Sequence, residues 1–430
     1  MLAFKLKYGW KEGAALVPPP SKSYAQRALI VASLAEGRSH LKMSEVEAED
    51  ISIMVSALKE FGVQIEVGHE VTAIDGGHLR APAQPVNCGL SGATIRFLTS
   101  FSTLVPNGSV LLTGEPDLLR RPIGPLIDAI TKLGGSAESL RVSGFPPVRV
   151  KGGGLKGGFA VVESSSSSQF ISSLLMVSPL AKEGVRLEAK GLVSSPYVEM
   201  TISTMKDFGV MVRSEGMTFS VHGGGYNYAD FDVPADMSAA SFFMCMAVLR
   251  NSAIKIGHVN LARPQADSKI VDILRLLGVT VTVDGDSIQV RMRDGELRSD
   301  VEIDLKDSPD IFPPLATLGL LIPITSRGTA HTRLKESDRI RAMGTELTRL
   351  GANVLTFDDG VRIVPPKDLK RGVRLNGWND HRVVMALSIA DAALELDCTI
   401  EGRDAVRKSY PGFFRDLGIM GIEVENEHVR

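Results

Sequence analysis

Residues 273–283 read ILRLLGVTVTV: a helix-period stretch, a glycine at position 278, then strict alternation in which Val279, Val281 and Val283 share one face. A helix closed by a left-handed glycine and followed at once by a strand accounts for that order. The pattern recurs as ALKEFGVQIEV (57–67), AITKLGGSAES (129–139), TMKDFGVMVRS (204–214), ELTRLGANVLT (346–356) and FFRDLGIMGIEVE (413–425). The glycines, Gly62, Gly134, Gly209, Gly278, Gly351 and Gly418, are separated by 72, 75, 69, 73 and 67 positions. One such glycine is ordinary punctuation. Six at a period of about 70 mark an internal repeat. A unit of that length holds two helices and several strands, so a compact α/β repeat is expected rather than a thin solenoid.

Three repeats per domain would give two similar domains, which suits a chain of 430 residues. Pro18-Pro19-Pro20 breaks the sequence early, and the stretch from Gly223-Gly224-Gly225 to Pro234 breaks it near the middle. Crossovers are therefore expected near 18–21 and 223–236. The N-terminal lobe would be residues 21–232. The C-terminal lobe would be 1–20 plus 233–430, with the first strand belonging to the C-terminal half. A cleft between two such lobes is a natural ligand site.

Composition narrows the function classes. Apolar residues at 44% and charged residues at 23% describe a folded globular chain. Lys+Arg 48 against Asp+Glu 50 argues against a general nucleic-acid-binding surface. Cys88, Cys245 and Cys398 lack CxxC spacing and, being three, cannot all pair, which suits a reducing compartment. The opening MLAFKLKYGWKEG lacks the apolar core of a signal peptide, and the longest apolar runs fall short of the ~20 residues that span a bilayer. A cytoplasmic protein with no membrane partner is expected. The histidines show no metal spacing, so no metal is expected. Residues 152–157 formally match GxGxxG, but a strand-like segment follows where a dinucleotide site requires a helix, and that reading is rejected.

The chemistry-bearing segments are cationic or hydroxyl-rich turns at helix starts. PSKSYAQR (20–27) combines Lys22, Ser23 and Arg27, where backbone N–H groups also favour anions; taken alone it reads equally well as a capped helix with solvated charges. CGLSGATIR (88–96) has the small residues that let backbone approach a ligand, although a plain strand-to-helix turn explains it too. Arg120-Arg121-Pro122 sets two guanidiniums, suited to carboxylate or phosphate, before a helix-starting proline. The serines 164–168 before Gln169 resemble a linker by composition. The apolar run that follows makes them the start of a buried helix. Asp310 precedes another apolar helix and could cap it or act as a base. RLKESDR (333–339) carries five charges in seven residues, a run that a solvated helix face usually explains. NDHR (379–382) and KSYP (408–411) each put a cation near a helix start. Lys22, Arg27, Arg121, Lys335, Arg339, Arg382 and Lys408 come from both halves of a slightly acidic chain, and together they predict a strongly anionic ligand.

Taken in order, PSKSYAQR, CGLSGATIRFL, GEPDLLRRPIG, SSQF, SSPY, DSPDIFPPLA, RLKESDR, NDHR and KSYPGFF resemble the EPSP synthase family of enolpyruvyl transferases, from residue 18 to about 414. The resemblance implies two inside-out α/β domains, each of three βαβαββ repeats, with a ligand cleft between them. It implies transfer of the enolpyruvyl group of phosphoenolpyruvate to the 5-hydroxyl of shikimate-3-phosphate with release of phosphate, the sixth step of the shikimate pathway, by a monomer without a cofactor. On the same resemblance, Lys22, Ser23, Arg27, Ser167, Ser168, Gln169, Ser194, Asp310 and Lys335 match shikimate-3-phosphate contacts. Lys22, Gly92, Arg121, Gln169, Arg339, Arg382 and Lys408 match phosphoenolpyruvate contacts. Asp310 falls on the proton acceptor and Glu336 on the proton donor. The chain departs from the family pattern at His331, where Asn is common, and in the glycine loop at Leu90 and Ala93-Thr94.

Three rival readings carry testable features. The related transferase that acts on UDP-N-acetylglucosamine usually has a cysteine before its Arg-Pro motif, and residues 111–124 contain none. An RNA-end-processing relative of the same repeat fold calls for a more basic chain. A non-catalytic anion-binding repeat protein leaves Asp310 and Glu336 without a purpose.

Overall fold

A computed structural model describes residues 2–43, 48–292 and 297–426. The chain divides into two compact units, one of residues 20–233 and one of residues 1–19 with 234–430. Each closes its own apolar core. Among the described residues, no helix is long and apolar enough to cross a membrane.

The unit of residues 20–233 contains helices α1 (Lys22–Leu34), α2 (Glu49–Glu60), α3 (Gly92–Phe101), α4 (Gly124–Lys132), α5 (Gln169–Val177) and α6 (Pro196–Asp207). Its third repeat displays the unit pattern in full. Strand Gly158–Glu163 leads into α5, strand Val185–Lys190, α6, and the hairpin Val212–Glu215 and Thr218–Val221. The first two strands pair in parallel across the α5 crossover, and the hairpin then adds antiparallel pairs. The second repeat has the same order. The first repeat takes its leading strand from the far end of the unit: Tyr226–Asn227 and Asp230–Asp232 run parallel to Ala35–Lys42.

The other unit holds α7 (Met237–Leu249), α8 (Lys269–Leu276), α9 (Phe312–Thr317), α10 (Arg339–Arg349), α11 (His381–Leu394) and α12 (Phe413–Ile419). Two of its sheets are completed by the N-terminal residues. Ala14–Leu16 lies parallel to Ala253–Ile256, and Ala3–Lys7 lies between Thr399–Glu401 and Glu423–Asn426.

Each unit is built inside out because one helix per repeat is apolar on every side. All 13 residues of α7 are buried, and 13 of the 14 in α11. Helices with no polar face have to occupy the interior, with other elements around them. In the same way α1, α3 and α5 touch one another inside their unit, as do α7, α9 and α11 in theirs. By contrast α2 buries only half of its 12 residues and lies outside that trio.

The closing glycines follow the expected chemistry with one correction. Gly62, Gly134, Gly209, Gly278 and Gly351 have φ of 93°, 81°, 85°, 94° and 102°. In the sixth repeat, however, Gly418 lies within α12 and Gly421, at φ 92°, takes the left-handed position. The apolar residue that ends this helix is Met420, so Leu417-Gly418 mimics the pattern one turn early.

Candidate active site

The segments singled out above sit where helices begin, five of the eight at a core helix. In the unit of residues 20–233, α1, α3 and α5 start after Ser21, Ser91 and Ser168, uncharged caps that leave the positive helix ends open to an anion. Lys22 Nζ lies 2.9 Å from Asp50 Oδ2, and Asp50 is only 4% exposed. Ser23 contributes its carbonyl to Arg27 Nη1 at 2.8 Å. Arg27 is buried and also donates to Thr201 Oγ1 at 2.7 Å and to the Tyr197 carbonyl at 3.0 Å. Burial lowers its guanidinium to about 10, which leaves it a cation at neutral pH.

Gly92 opens α3, and a Cβ there would come within 2.9 Å of Arg121 Nη1. Glycine at this position therefore admits the Arg121 side chain against the helix start. Ser167 and Gln169 are drawn together by Arg96, whose Nη1 reaches Gln169 Oε1 at 2.7 Å and Ser167 Oγ at 3.2 Å. Ser194, one residue before the α6 cap, is buried and held at φ 56°. For a residue with a side chain this left-handed backbone is strained, and such strain concentrates at functional sites.

In the other unit the corresponding helix starts are acidic. Asp236 caps α7, Asp380 caps α11, and Asp310 lies in the 3-10 turn Pro309–Ile311 leading to α9. These acids and Glu336 meet three cations. Arg339, 1% exposed, donates Nη1 to Asp310 Oδ1 at 2.8 Å, Nη2 to Glu336 Oε2 at 3.0 Å and Nε to Asp380 Oδ2 at 2.9 Å. Arg382 Nη2 holds Asp310 Oδ2 at 3.0 Å, and Lys408 Nζ holds Glu336 Oε1 at 2.6 Å. Burial alone would lower the Arg339 guanidinium, but Asp380, Glu336 and Asp310 together raise it above its ordinary value.

Lys335, half-buried, follows the turn Ala330–Leu334 that carries His331. Burial, and then the Lys335 charge, push the His331 imidazole down to about 4, so it is neutral at pH 7.

One sequence expectation changes here. RLKESDR is no solvated helix face: Asp338 caps α10 and Arg339 points into a buried ion-pair cluster. Lys22, Arg339, Arg382 and Lys408 are each held by a carboxylate. Buried cations need counter-charges before any ligand arrives. Three of the organising residues, Asp50, Arg96 and Asp380, were missing from the expected site. Arg96 and Asp380 stood inside quoted motifs, and the cap position of Asp380 was a usable signal. Asp50 had none.

The EPSP synthase family model, described as EPSP synthase (3-phosphoshikimate 1-carboxyvinyltransferase), matches residues 12–417. The chain belongs to this family. A 3-phosphoshikimate 1-carboxyvinyltransferase of Korarchaeum cryptofilum is 39% identical over 414 residues, covering 94% of this chain and 96% of that protein. One from Methanocaldococcus jannaschii is 35% identical, covering 95% of each. A solved structure of EPSP synthase from Acinetobacter baumannii superposes with a TM-score of 0.84 at 25% identity, over 100% of both chains. The family's βαβαββ repeats are the units described above.

Proposed function

We propose that the protein is a 3-phosphoshikimate 1-carboxyvinyltransferase, moving the enolpyruvyl group of phosphoenolpyruvate to the 5-hydroxyl of shikimate-3-phosphate and releasing phosphate. The observation that carries the chemistry is the joint engagement of Asp310 and Glu336 on Arg339, with Arg382 and Lys408 closing the two outer sides. Two acids sharing one buried cation supply the proton donor and the proton acceptor that the addition step needs.

Protonation of the phosphoenolpyruvate methylene leaves a cationic C2, and the 5-hydroxyl attacks it as its own proton leaves. The tetrahedral adduct then loses a proton from the new methyl group and expels phosphate, which restores the carbon–carbon double bond. In this reading Asp310 takes the hydroxyl proton, while Glu336 supplies the methylene proton in the addition and, as the carboxylate left behind, takes one back from the methyl group in the elimination. Glu336 faces a cation at each oxygen, so donation from it requires Lys408 or Arg339 to turn to the substrate's negative charge.

Lys22, Ser23, Arg27, Ser167, Ser168, Gln169, Ser194, Asp310 and Lys335 bind shikimate-3-phosphate. Lys22, Gly92, Arg121, Gln169, Arg339, Arg382 and Lys408 bind phosphoenolpyruvate. Most of the rate enhancement then comes from positioning and from stabilising anionic oxygens. Buried, unbridged Cys88, Cys245 and Cys398 support a cytoplasmic location, and we take the working form to be a monomer.

Phosphate release measured with phosphoenolpyruvate plus shikimate-3-phosphate, plus UDP-N-acetylglucosamine, or alone tests the assignment. Release only with shikimate-3-phosphate is expected. Release with the nucleotide sugar instead would overturn it.

A further inference from the structure

Among the groups assigned above to the substrates, Ser167, Gln169 and the backbone beside Arg121 all meet one side chain that has no assigned role. Arg96 lies one turn into α3, half-buried, its guanidinium 5.1 Å from the Phe170 ring centroid. Besides the two bonds from Nη1, its Nη2 donates to the carbonyl of Pro122 at 3.0 Å.

A guanidinium carries donors only, so the Gln169 atom that it meets is the carboxamide oxygen whichever way the amide is drawn. The Gln169 NH2 group therefore turns away from Arg96 and can only donate. Ser167 is constrained in the same sense. Its Oγ accepts from Arg96 Nη1 and, at 3.2 Å, from the Gln169 backbone N–H. A hydroxyl has two lone pairs, so what remains to it is its proton.

We infer that Arg96 is a positioning residue that fixes hydrogen-bond polarity. It converts Gln169 and Ser167, each able to donate or accept, into obligate donors facing an anionic oxygen, while its bond to Pro122 steadies the backbone next to Arg121. The inference deepens the proposed function and rests on its assignment of Gln169 and Ser167 to the substrates.

Steady-state kinetics on the full chain test it, with phosphoenolpyruvate varied at saturating shikimate-3-phosphate and folding checked by urea midpoint. Arg96→Met keeps the apolar stem over Phe170 and should raise KM by about tenfold or more, the scale of one charge-assisted contact, with a smaller change in kcat. In a Ser167→Ala/Gln169→Ala background the same substitution should change KM less than about twofold, because nothing remains to orient. Gln169→Glu keeps the bond to Arg96 but replaces the outward donor with an acceptor, so it should impair binding at least as much as Gln169→Ala.

A full Arg96→Met penalty in the Ser167→Ala/Gln169→Ala background would mean that Arg96 touches substrate itself, and would overturn the inference alone. Wild-type KM in Gln169→Glu would do the same, and that arm decides the matter if Arg96→Met folds poorly. Wild-type kinetics in Ser167→Ala/Gln169→Ala would overturn the substrate assignment, and the inference with it.

Discussion

Asp380 is the test of whether the acid–cation cluster works as one unit. It is fully buried; its Oδ2 accepts from Arg339 Nε at 2.9 Å and from Ser337 Oγ at 3.0 Å, and its Oδ1 caps α11 through the Arg382 N–H at 2.9 Å. Asp380→Asn leaves an oxygen for the cap but sets an NH2 group against two donors and removes one of three negative charges around Arg339. Removing one partner of a buried pair costs about 3–5 kcal/mol, and since Asp310 and Glu336 still face Arg339 the lower figure applies. With a slope of about 2–3 kcal/mol per molar, the urea midpoint of this unit should fall by about 1 M or more. If Arg339 moves enough to lose one charge-assisted contact in the transition state, kcat/KM falls by about 10- to 100-fold. Ser337→Ala, which removes a single bond to the same carboxylate, should cost about half as much stability and little activity. Stability within about 0.5 kcal/mol of wild type together with unchanged kcat/KM in Asp380→Asn would refute the coupling.

Three further outcomes are expected. Lys22→Ala should lower kcat/KM by at least ~10²-fold, since it removes a cation already oriented by Asp50, and near-normal kinetics would take Lys22 out of the site. Glu336→Gln should still bind both substrates, yet fail to exchange solvent deuterium into the phosphoenolpyruvate methylene; wild-type exchange would sink the donor role. The third concerns acid stability, where two groups oppose one another. Burial raises the Asp391 carboxyl to about 6, and its Oδ2 has no hydrogen-bond partner, so the fold gains stability as pH falls from about 6 towards 4. His331, lowered to about 4, takes up its proton more readily unfolded, so its contribution is lost as pH falls from about 6.5 to 4. Each effect is worth roughly 3 kcal/mol at most, so Asp391→Asn should sharpen the loss of urea stability between pH 6.5 and 4.5, and His331→Asn should reduce it. Parallel pH profiles for both variants and wild type would contradict the assignment.

What the sequence revealed of all this follows from the range of each interaction. Helices α5 and α9 were legible because an apolar run follows the serines 164–168 and Asp310, whereas α7, buried throughout, follows no such motif. The glycine closures were legible where the last apolar residue and the glycine adjoin, and misled at Leu417-Gly418, where an internal glycine copies the signature. The helix-start motifs were legible because Ser, Gly, Lys and Arg there serve both capping and anion binding. Their partners were not. Asp50 meets Lys22 across 28 positions, Asp380 meets Arg339 across 41, and Arg96 meets Gln169 across 73. Such pairings are set by the packing of three repeats and leave no local periodicity to read. The strands at residues 226–232 escaped for the same reason, whereas the first strand, expected with the C-terminal half, does pair there, between Thr399–Glu401 and Glu423–Asn426.

The two units share one repeat yet differ at the ends of their core helices, and that difference divides the chemistry. Serine caps in the unit of residues 20–233 add no charge, so the partial positive ends of α1, α3 and α5 remain available, and Arg96 turns the nearby amide and hydroxyl into donors. A surface of donors and open helix starts suits binding of phosphate and carboxylate, and the carboxylate beside it, Asp50, is engaged by Lys22. Aspartates at the matching places in the other unit cancel the helix-end field, which by itself is poor design for an anion site. Arg339, Arg382 and Lys408 restore the positive charge, and they do so while gripping Asp310 and Glu336. In the proposed mechanism the acids that transfer protons are thereby held next to the cations that stabilise the departing phosphate. The first unit, then, contributes donors and open helix starts to that mechanism, whereas the second combines anion-binding cations with the acids that move protons.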